Sequence, residues 1–385
     1  MAFEHYIHTG GRRLRCGYTT GTCAALAAAG AVCLLLTGTA PETVQLTTPK
    51  GLTVQVPLQA CQLKDGVARC AVQKDGGDDV DSTAGLLIVA EVSRTEQPGV
   101  QIDGGKGVGR VTKPGLDQPV GAAAINRVPR EMIRQQVETI CEHLEYAGGI
   151  AVCIQVPDGE RAAKKTFNPA LGVQGGISIL GTSGIVEPMS VQALIDTIAL
   201  ELRQTAAQGK RDLILTPGNY GREFLQSQGW YLSDIPIVTC SNFIGDALDQ
   251  AAVQGFERVL LVGHIGKLVK LAGGIMNTHS RWGDCRTELL CAHAAICGAD
   301  TALCRELMDA ATTDACISLL EEANLRAPVL DSLLKAIDRQ LQRRVDGAYQ
   351  IGAVLFSNRY GLLGQTKAAQ EMIEICNRKQ AFFTE

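Results

Sequence analysis

The sequence predicts an α+β domain at residues 1–186, followed by an α/β, doubly wound, Rossmann-like domain at 187–385. Three observations predict it. The chain has 385 residues, beyond the roughly 250–300 at which a single hydrophobic core stops growing. Between residues 43 and 92, short β-like runs are separated by Gly, Pro and Asp clusters, which suits antiparallel strands. From about residue 188 helical patterns alternate with apolar runs, the rhythm of a parallel sheet.

The elements follow in order. An Ala-rich helix is expected over residues 23–36, with Thr20 or Thr22 as its cap and Gly38 just past its end. Its alanines leave little bulk, so it can lie close to a sheet. Strands are expected at 43–48, 52–58, 67–74 and 86–92. Pro129 opens a helix to about residue 146, since proline suits a first helical turn, and a strand covers 150–156. In the second half the order is helix 191–207, strand 212–216, helix 223–228, strand 235–240, helix 243–253 and strand 258–262. A last apolar strand covers 351–356. Arg12, Arg13 and Arg15 before the Ala-rich run imitate an export signal. The polar stretch 19–22 separates charge from apolar run, and the run is too short to span a bilayer, so it reads as a buried helix.

Composition excludes several classes. A net charge of −4 and a pI of about 5.9 give no global field for nucleic acid or an anionic membrane. Aromatics make up 4%, too few for base-stacking platforms. Glycine is in excess: 42 residues against about 27 at the usual ~7%, which suits tight turns and close backbone approaches. The 14 cysteines include no Cys-x-x-Cys pair. Cys141, Cys291, Cys297, Cys304 and Cys316 read as reduced, buried thiols of a cytoplasmic protein. Cys285, Cys291 and His293 fit no common metal spacing, so no protein metal site is expected.

Five polar, glycine-rich segments could carry chemistry. Residues 17–23 place Thr19, Thr20 and Thr22 at a helix N-terminus, where free N–H groups favour an anion. Residues 74–81 crowd carboxylates without the spacing of an EF-hand. Residues 104–110, with Lys113 beyond, lack the ending of a P-loop and suit a mobile cationic flap better than a nucleotide cradle. The turns after successive strands, 216–221, 241–246 and 263–267, bring Gly218, Asn219, Asn242, Asp246, Gly263, His264 and Lys267 to one sheet edge. Ligands of open α/β sheets bind there. Lys267 and Lys270 share a helical face, and with Arg281 near His279 form a basic patch.

Several of these motifs carry a resemblance. GYTTGTCAA (17–25), KDGGDDVDSTAG (74–85), GVGRVTKPGL (107–116) and REMI (130–133) resemble the cobalt-precorrin-5B C1-methyltransferases. So do the stretch 164–190, TPGNYG (216–221), SNFIGD (241–246) and GHIGKLVKLAGGIMNTHS (263–280). The resemblance runs in register from about residue 14 to 290. It implies transfer of a methyl group from S-adenosylmethionine to C-1 of a cobalt corrinoid, giving cobalt-precorrin-6A on the anaerobic route to vitamin B12. Cobalt then arrives with the substrate.

Under that reading the donor is expected at Gly218, Asn219, Asn242, Asp246 and Gly263. Substrate carboxylates are expected at Thr19, Thr20, Thr22, Lys113, Lys267 and Lys270. His264 and His279 are the candidate catalytic residues, as base or as docking group. Other enzymes of the pathway and a second copy of the chain are possible partners. Two other readings fit the residues: a dinucleotide-dependent reductase using the second sheet, and a non-catalytic corrinoid carrier.

Overall fold

The structure is a computed structural model and describes residues 3–9, 11–166, 168–169, 171–230, 232 and 234–381. It is mixed α/β with several sheets, and its contacts divide the chain into two compact units, Met1–Val191 and Gln192–Glu385.

The first unit is organised by the helix Thr20–Thr37. Thr19, one residue before the first expected cap and three before the second, is the N-cap: its side chain accepts from the Thr22 N–H. Gly38 ends the helix with φ +76° and donates its N–H to Leu34. The helix is buried around most of its circumference, from Thr20 to Leu35. It is long and apolar enough to cross a membrane, but here it packs against strands Val67–Gln73 and Leu87–Thr95 and helix Arg127–His143. Small residues permit this. A Cβ on Gly30 would meet Leu58 at 2.3 Å, and one on Gly21 would meet Pro129 at 2.7 Å.

The main sheet of this unit runs Gln59–Lys64, Val67–Gln73, Leu87–Thr95, Gly149–Gln155, Val100–Gly104. Its pairings are antiparallel except the last, where Gly149–Gln155 runs parallel to Val100–Gly104. A parallel neighbour needs a crossover, and helix Arg127–His143 lies within it in the chain. Strands Thr43–Thr47 and Thr53–Pro57 form a separate hairpin. Short pairings join Gly17–Tyr18 to Ile185–Val186 and Tyr6–Thr9 to Arg12–Arg15.

The glycine-rich segment, read as a surface loop or, if functional, a flap, is instead packed into this unit. Gly107–Val108 pairs with Gly176–Ile177, and Arg110 forks Asp103 at 2.8 and 3.1 Å. The acidic segment is internally paired too. Arg15 grips both oxygens of Asp75 at 2.6 and 2.9 Å, and the buried Lys74 ammonium donates to Asp81 at 2.7 Å. Burial works against both carboxylates, yet these cations hold Asp75 and Asp81 below the usual range.

In the second unit the strands order as Ile237–Thr239, Asp212–Thr216, Arg258–His264, Gln350–Ser357, Gly361–Gln365. The first four are parallel and the last is antiparallel. The chain leaves Asp212–Thr216 toward one edge and returns on its other side, so the direction of winding reverses there. Phe224 stacks on Phe356 at 4.3 Å within this unit's core.

The cysteines depart from expectation in part. Cys316 is buried, but Cys141, Cys291, Cys297 and Cys304 are only half-buried. The fully buried thiols include Cys16, Cys23, Cys70 and Cys240, and none of these is in a disulfide. Among the described residues, no group of three or more His, Cys, Asp or Glu side chains is placed to hold a metal ion.

Candidate functional site

A cavity of about 750 Å³ opens at the carboxyl ends of the second unit's strands. It lies where the winding reverses, between the ends of Asp212–Thr216 and Arg258–His264, the crevice that open α/β sheets use for ligands. One wall is the turn 217–221, which enters helix Tyr220–Ser227. The opposite wall is Val262 to Lys267, and Glu223, Arg286, Thr312, Thr313, Asp314, Phe356 and Asn358 complete the lining. Gly218 has only Lys267 near the place a Cβ would occupy, 4.0 Å from its Nζ. A side chain at 218 would therefore project toward that ammonium.

Lys267 ties the strand ends together. It sits in the short helix Ile265–Leu268, directly after strand Arg258–His264. Its ammonium donates to the carbonyl of Pro217 and, at 3.4 Å, to that of Ser241. These carbonyls belong to the turns after two other strands. Burial pushes the Lys267 pKa down.

His264 caps the same short helix: its Nδ1 accepts the Gly266 N–H at 3.0 Å. A neutral imidazole that accepts at Nδ1 carries its proton on Nε2. His264 is therefore arranged to donate a hydrogen bond, and it has no spare lone pair with which to take a proton. Burial lowers its pKa, against the pull of Asp314. The ring stands edge-on to Phe356, with centroids 5.7 Å apart and an interplanar angle of 89°. These contacts favour the docking role over the base role.

The sign of the pH effect follows. The lowered native pKa means that, just below pH 6.5, the unfolded chain binds a proton at this residue that the folded chain resists. Stability should fall as pH drops through that value and level off below the native pKa. Glutamine keeps an acceptor and a donor but does not titrate. Denaturant melts at pH 7.5 and 5 should show a smaller acid loss for His264→Gln than for the wild type; equal losses would contradict the arrangement.

A second cavity, of about 340 Å³, shares Gly266 and Arg286 with the first. Asn242, Lys270 and His279 line it rather than the larger one. Asn242 accepts from the Thr278 hydroxyl at 3.2 Å. Lys270 is 2% exposed and donates to the carbonyls of Thr278 and Gly283 at 3.1 and 3.0 Å, with Asp284 at 3.5 Å. Its charge is thus engaged by protein groups at the wall of the smaller cavity, where it was expected to meet substrate carboxylates. His279 is exposed and accepts the Arg281 N–H at Nδ1, so it too carries its proton on Nε2 when neutral.

Other expected residues do not join the larger cavity. Asp246 lines neither cavity; it lies in the first turn of helix Ile244–Val253, where its charge acts on Arg344. Thr19, Thr20 and Thr22, expected at substrate carboxylates, lie in the first unit and line neither cavity. They are buried, and their hydroxyls bond to one another, to Leu180 and to Gly184. These bonds anchor the helix N-terminus to the segment 178–184 of the same unit. Lys113 is an exposed residue of the first unit, its stem beside Gly172.

The sequence reading missed Glu223, Arg286, Thr313, Asp314 and Asn358. Asn358 had a signal, because it follows the fourth parallel strand as the other turns follow theirs. Asp314 sits two residues past the Thr312 cap of helix Thr313–Glu322, far from any strand in the chain, and nothing in its neighbourhood marks it.

Comparison with known proteins agrees with the motifs. Residues 7–188 match the family described as CbiD, and residues 277–367 the family described as CbiD, C-terminal domain. The cobalt-precorrin-5B C(1)-methyltransferase of Ruminiclostridium cellulolyticum is 45% identical over 355 residues, 92% of each chain. The protein of the same name from Alkaliphilus metalliredigens is 41% identical over 372 residues, 97% of each chain. The 1.9 Å crystal structure of the cobalamin biosynthesis protein CbiD from Archaeoglobus fulgidus aligns at 31% identity with a TM-score of 0.40, covering 72% of this chain and 87% of that one. With both family regions matched and identity above 40% sustained over more than nine-tenths of its length, the chain belongs to the CbiD family.

Proposed function

We propose that this protein is an S-adenosylmethionine-dependent methyltransferase that acts on C-1 of cobalt-precorrin-5B and yields cobalt-precorrin-6A, in anaerobic cobalamin biosynthesis. The observation that carries the reading is the end-to-end match to relatives of that name. The second unit is compatible with it. Its strand order has the 2-1-3-4-5 pattern of doubly wound sheets, which is the ground for reading that unit as Rossmann-like.

The larger cavity fits a donor of adenosyl size, since ligand pockets typically hold about 300–1,000 Å³. Its lining also suits the chemistry. Asp314 and Glu223 offer negative charge to a sulfonium, Gly218 lets backbone approach closely, and Asn219 adds a polar side chain. When bound, S-adenosylmethionine supplies an electrophilic methyl carbon. The chain's own work is positional: Lys267 fixes the turns that form the walls, and His264 donates a hydrogen bond from Nε2. Holding two reactants in line can remove ~7–11 kcal/mol of barrier. Cobalt enters as part of the substrate. The substrate's carboxylates suit exposed cations such as Lys113, and the buried thiols suit a reducing, cytoplasmic setting.

The test is mass spectrometry of cobalt-precorrin-5B incubated with the protein and methyl-labelled S-adenosylmethionine. One labelled methyl should appear on the corrinoid. Tight corrinoid binding without turnover would instead make the protein a carrier, and reduction dependent on NADPH a reductase.

A further inference from the structure

We infer that Asp314 is the residue that reads the charge of the methyl donor, so that the protein separates sulfonium donor from thioether product through this one carboxylate. The inference rests on the proposed donor site and goes beyond it, because it names the residue that makes the site release its product.

Asp314 is held in place. Ser357, 1% exposed at the end of strand Gln350–Ser357, donates its hydroxyl to Asp314 Oδ1 at 2.9 Å. The same hydroxyl oxygen accepts the N–H groups of Arg359 and Tyr360 at 3.0 and 3.3 Å. With its lone pairs engaged, the hydroxyl's single proton goes to Asp314. The carboxylate also lies in the first turn of helix Thr313–Glu322, where the helix dipole favours a negative charge. Among the described residues its second oxygen has no hydrogen-bond partner, which leaves it for a ligand.

The charge of Asp314 is not cancelled by its neighbours. His264, across the cavity, accepts at Nδ1 and is thereby a neutral donor. Arg286 is gripped by both oxygens of Asp284 at 2.5 and 2.9 Å. Lys267 is positive but directed to the carbonyls of Pro217 and Ser241. Glu223, the other carboxylate of the lining, is exposed, where water screens it. Asp314 is thus the half-buried, oriented anion of the cavity, and a half-buried charge acts on another more strongly than an exposed one.

S-adenosylmethionine and S-adenosylhomocysteine share every group except the methyl and the positive charge it creates. The ratio of their dissociation constants isolates that charge, and calorimetry on the full chain measures it without turnover. Asp314→Asn keeps the size of the side chain and an acceptor for Ser357. We expect it to weaken S-adenosylmethionine binding about tenfold and S-adenosylhomocysteine binding less than twofold, with an unchanged melting temperature. Ser357→Ala, which frees the carboxylate to turn away, should move the ratio the same way by a smaller factor. If Asp314→Asn does not fold, Ser357→Ala alone decides. An unchanged ratio in whichever variant folds overturns the inference. Failure of both ligands to bind the wild type strikes the donor-site reading instead, and the two failures are distinct.

Discussion

Gly107→Ala should unfold the first unit or leave it barely stable. Gly107 has φ +74°, and a Cβ there would lie 1.8 Å from the Val156 carbonyl oxygen. The neighbours offer no relief, because they are equally tight. A Cβ on Gly159 would sit 2.0 Å from the Gly107 oxygen, and one on Gly176 would sit 2.1 Å from it. Three stretches of backbone therefore cross with no room for a side chain. Hydrogen bonds hold them together, with Val156 N–H to Lys106 and Gly109 N–H to Ile177 at 2.8 and 2.9 Å. The left-handed conformation alone costs an alanine roughly 1–2 kcal/mol. Parting backbone from backbone adds more, so a total above about 4 kcal/mol is expected, the range in which single substitutions become exceptional. Whole domains carry only about 5–15 kcal/mol. Urea denaturation of Gly107→Ala beside Gly121→Ala makes the test internal. Gly121 has φ +89° but open space around its Cβ position, so its variant should lose only the conformational cost of roughly 1–2 kcal/mol. Equal losses at the two sites would show that the crossing is not tight.

That crossing also shows where sequence reasoning reached its limit. The helix Val191–Ala207 and the strand Asp212–Thr216 stand where the pattern puts them, because apolar periodicity reports which face is buried. Strand Gln59–Lys64 escaped notice because it is almost wholly exposed and carries no apolar alternation. Residues 104–110 looked like a flap because many glycines in a row read as freedom. Here Gly107 and Gly109 have backbone of distant segments against them, and Gly104 and Gly105 have side chains.

The site divides in the same way. The turns 217–221 and 263–267 were legible because each follows a strand, and a strand end is local information. Strand order is not local. Ile237–Thr239 lies on the far side of Asp212–Thr216 from Arg258–His264, so the turn after it sends Asn242 to the smaller cavity and Asp246 to neither. Asp314 reaches the larger cavity on a helix that the strand rhythm does not index. The three threonines at the start of the Ala-rich helix were legible as a cap, but a cap in the protein interior spends its hydroxyls on the protein.

Lys267→Met should cost both stability and donor affinity, and the two losses should come together. The ammonium donates to Pro217 and Ser241, so its removal leaves two carbonyls without their donor. Each unsatisfied buried group costs about 1–3 kcal/mol. Methionine fills the volume, so packing is nearly conserved and the loss reports the hydrogen bonds. Those two carbonyls belong to turns that follow neighbouring strands, and the turn at Pro217 continues into Gly218 and Asn219 at the cavity wall. Without the clamp the wall should move, and S-adenosylhomocysteine affinity should fall by more than tenfold, about 1.4 kcal/mol. Lys267→Gln supplies one amide in place of the ammonium and should recover part of both losses. Lys106→Met, at an exposed lysine of the other unit, should change neither. A lowered melting temperature with unchanged affinity would make Lys267 a brace for the strand ends alone. Unchanged values of both would mean that the strand ends hold their places without it, leaving the cavity wall to the helix Tyr220–Ser227.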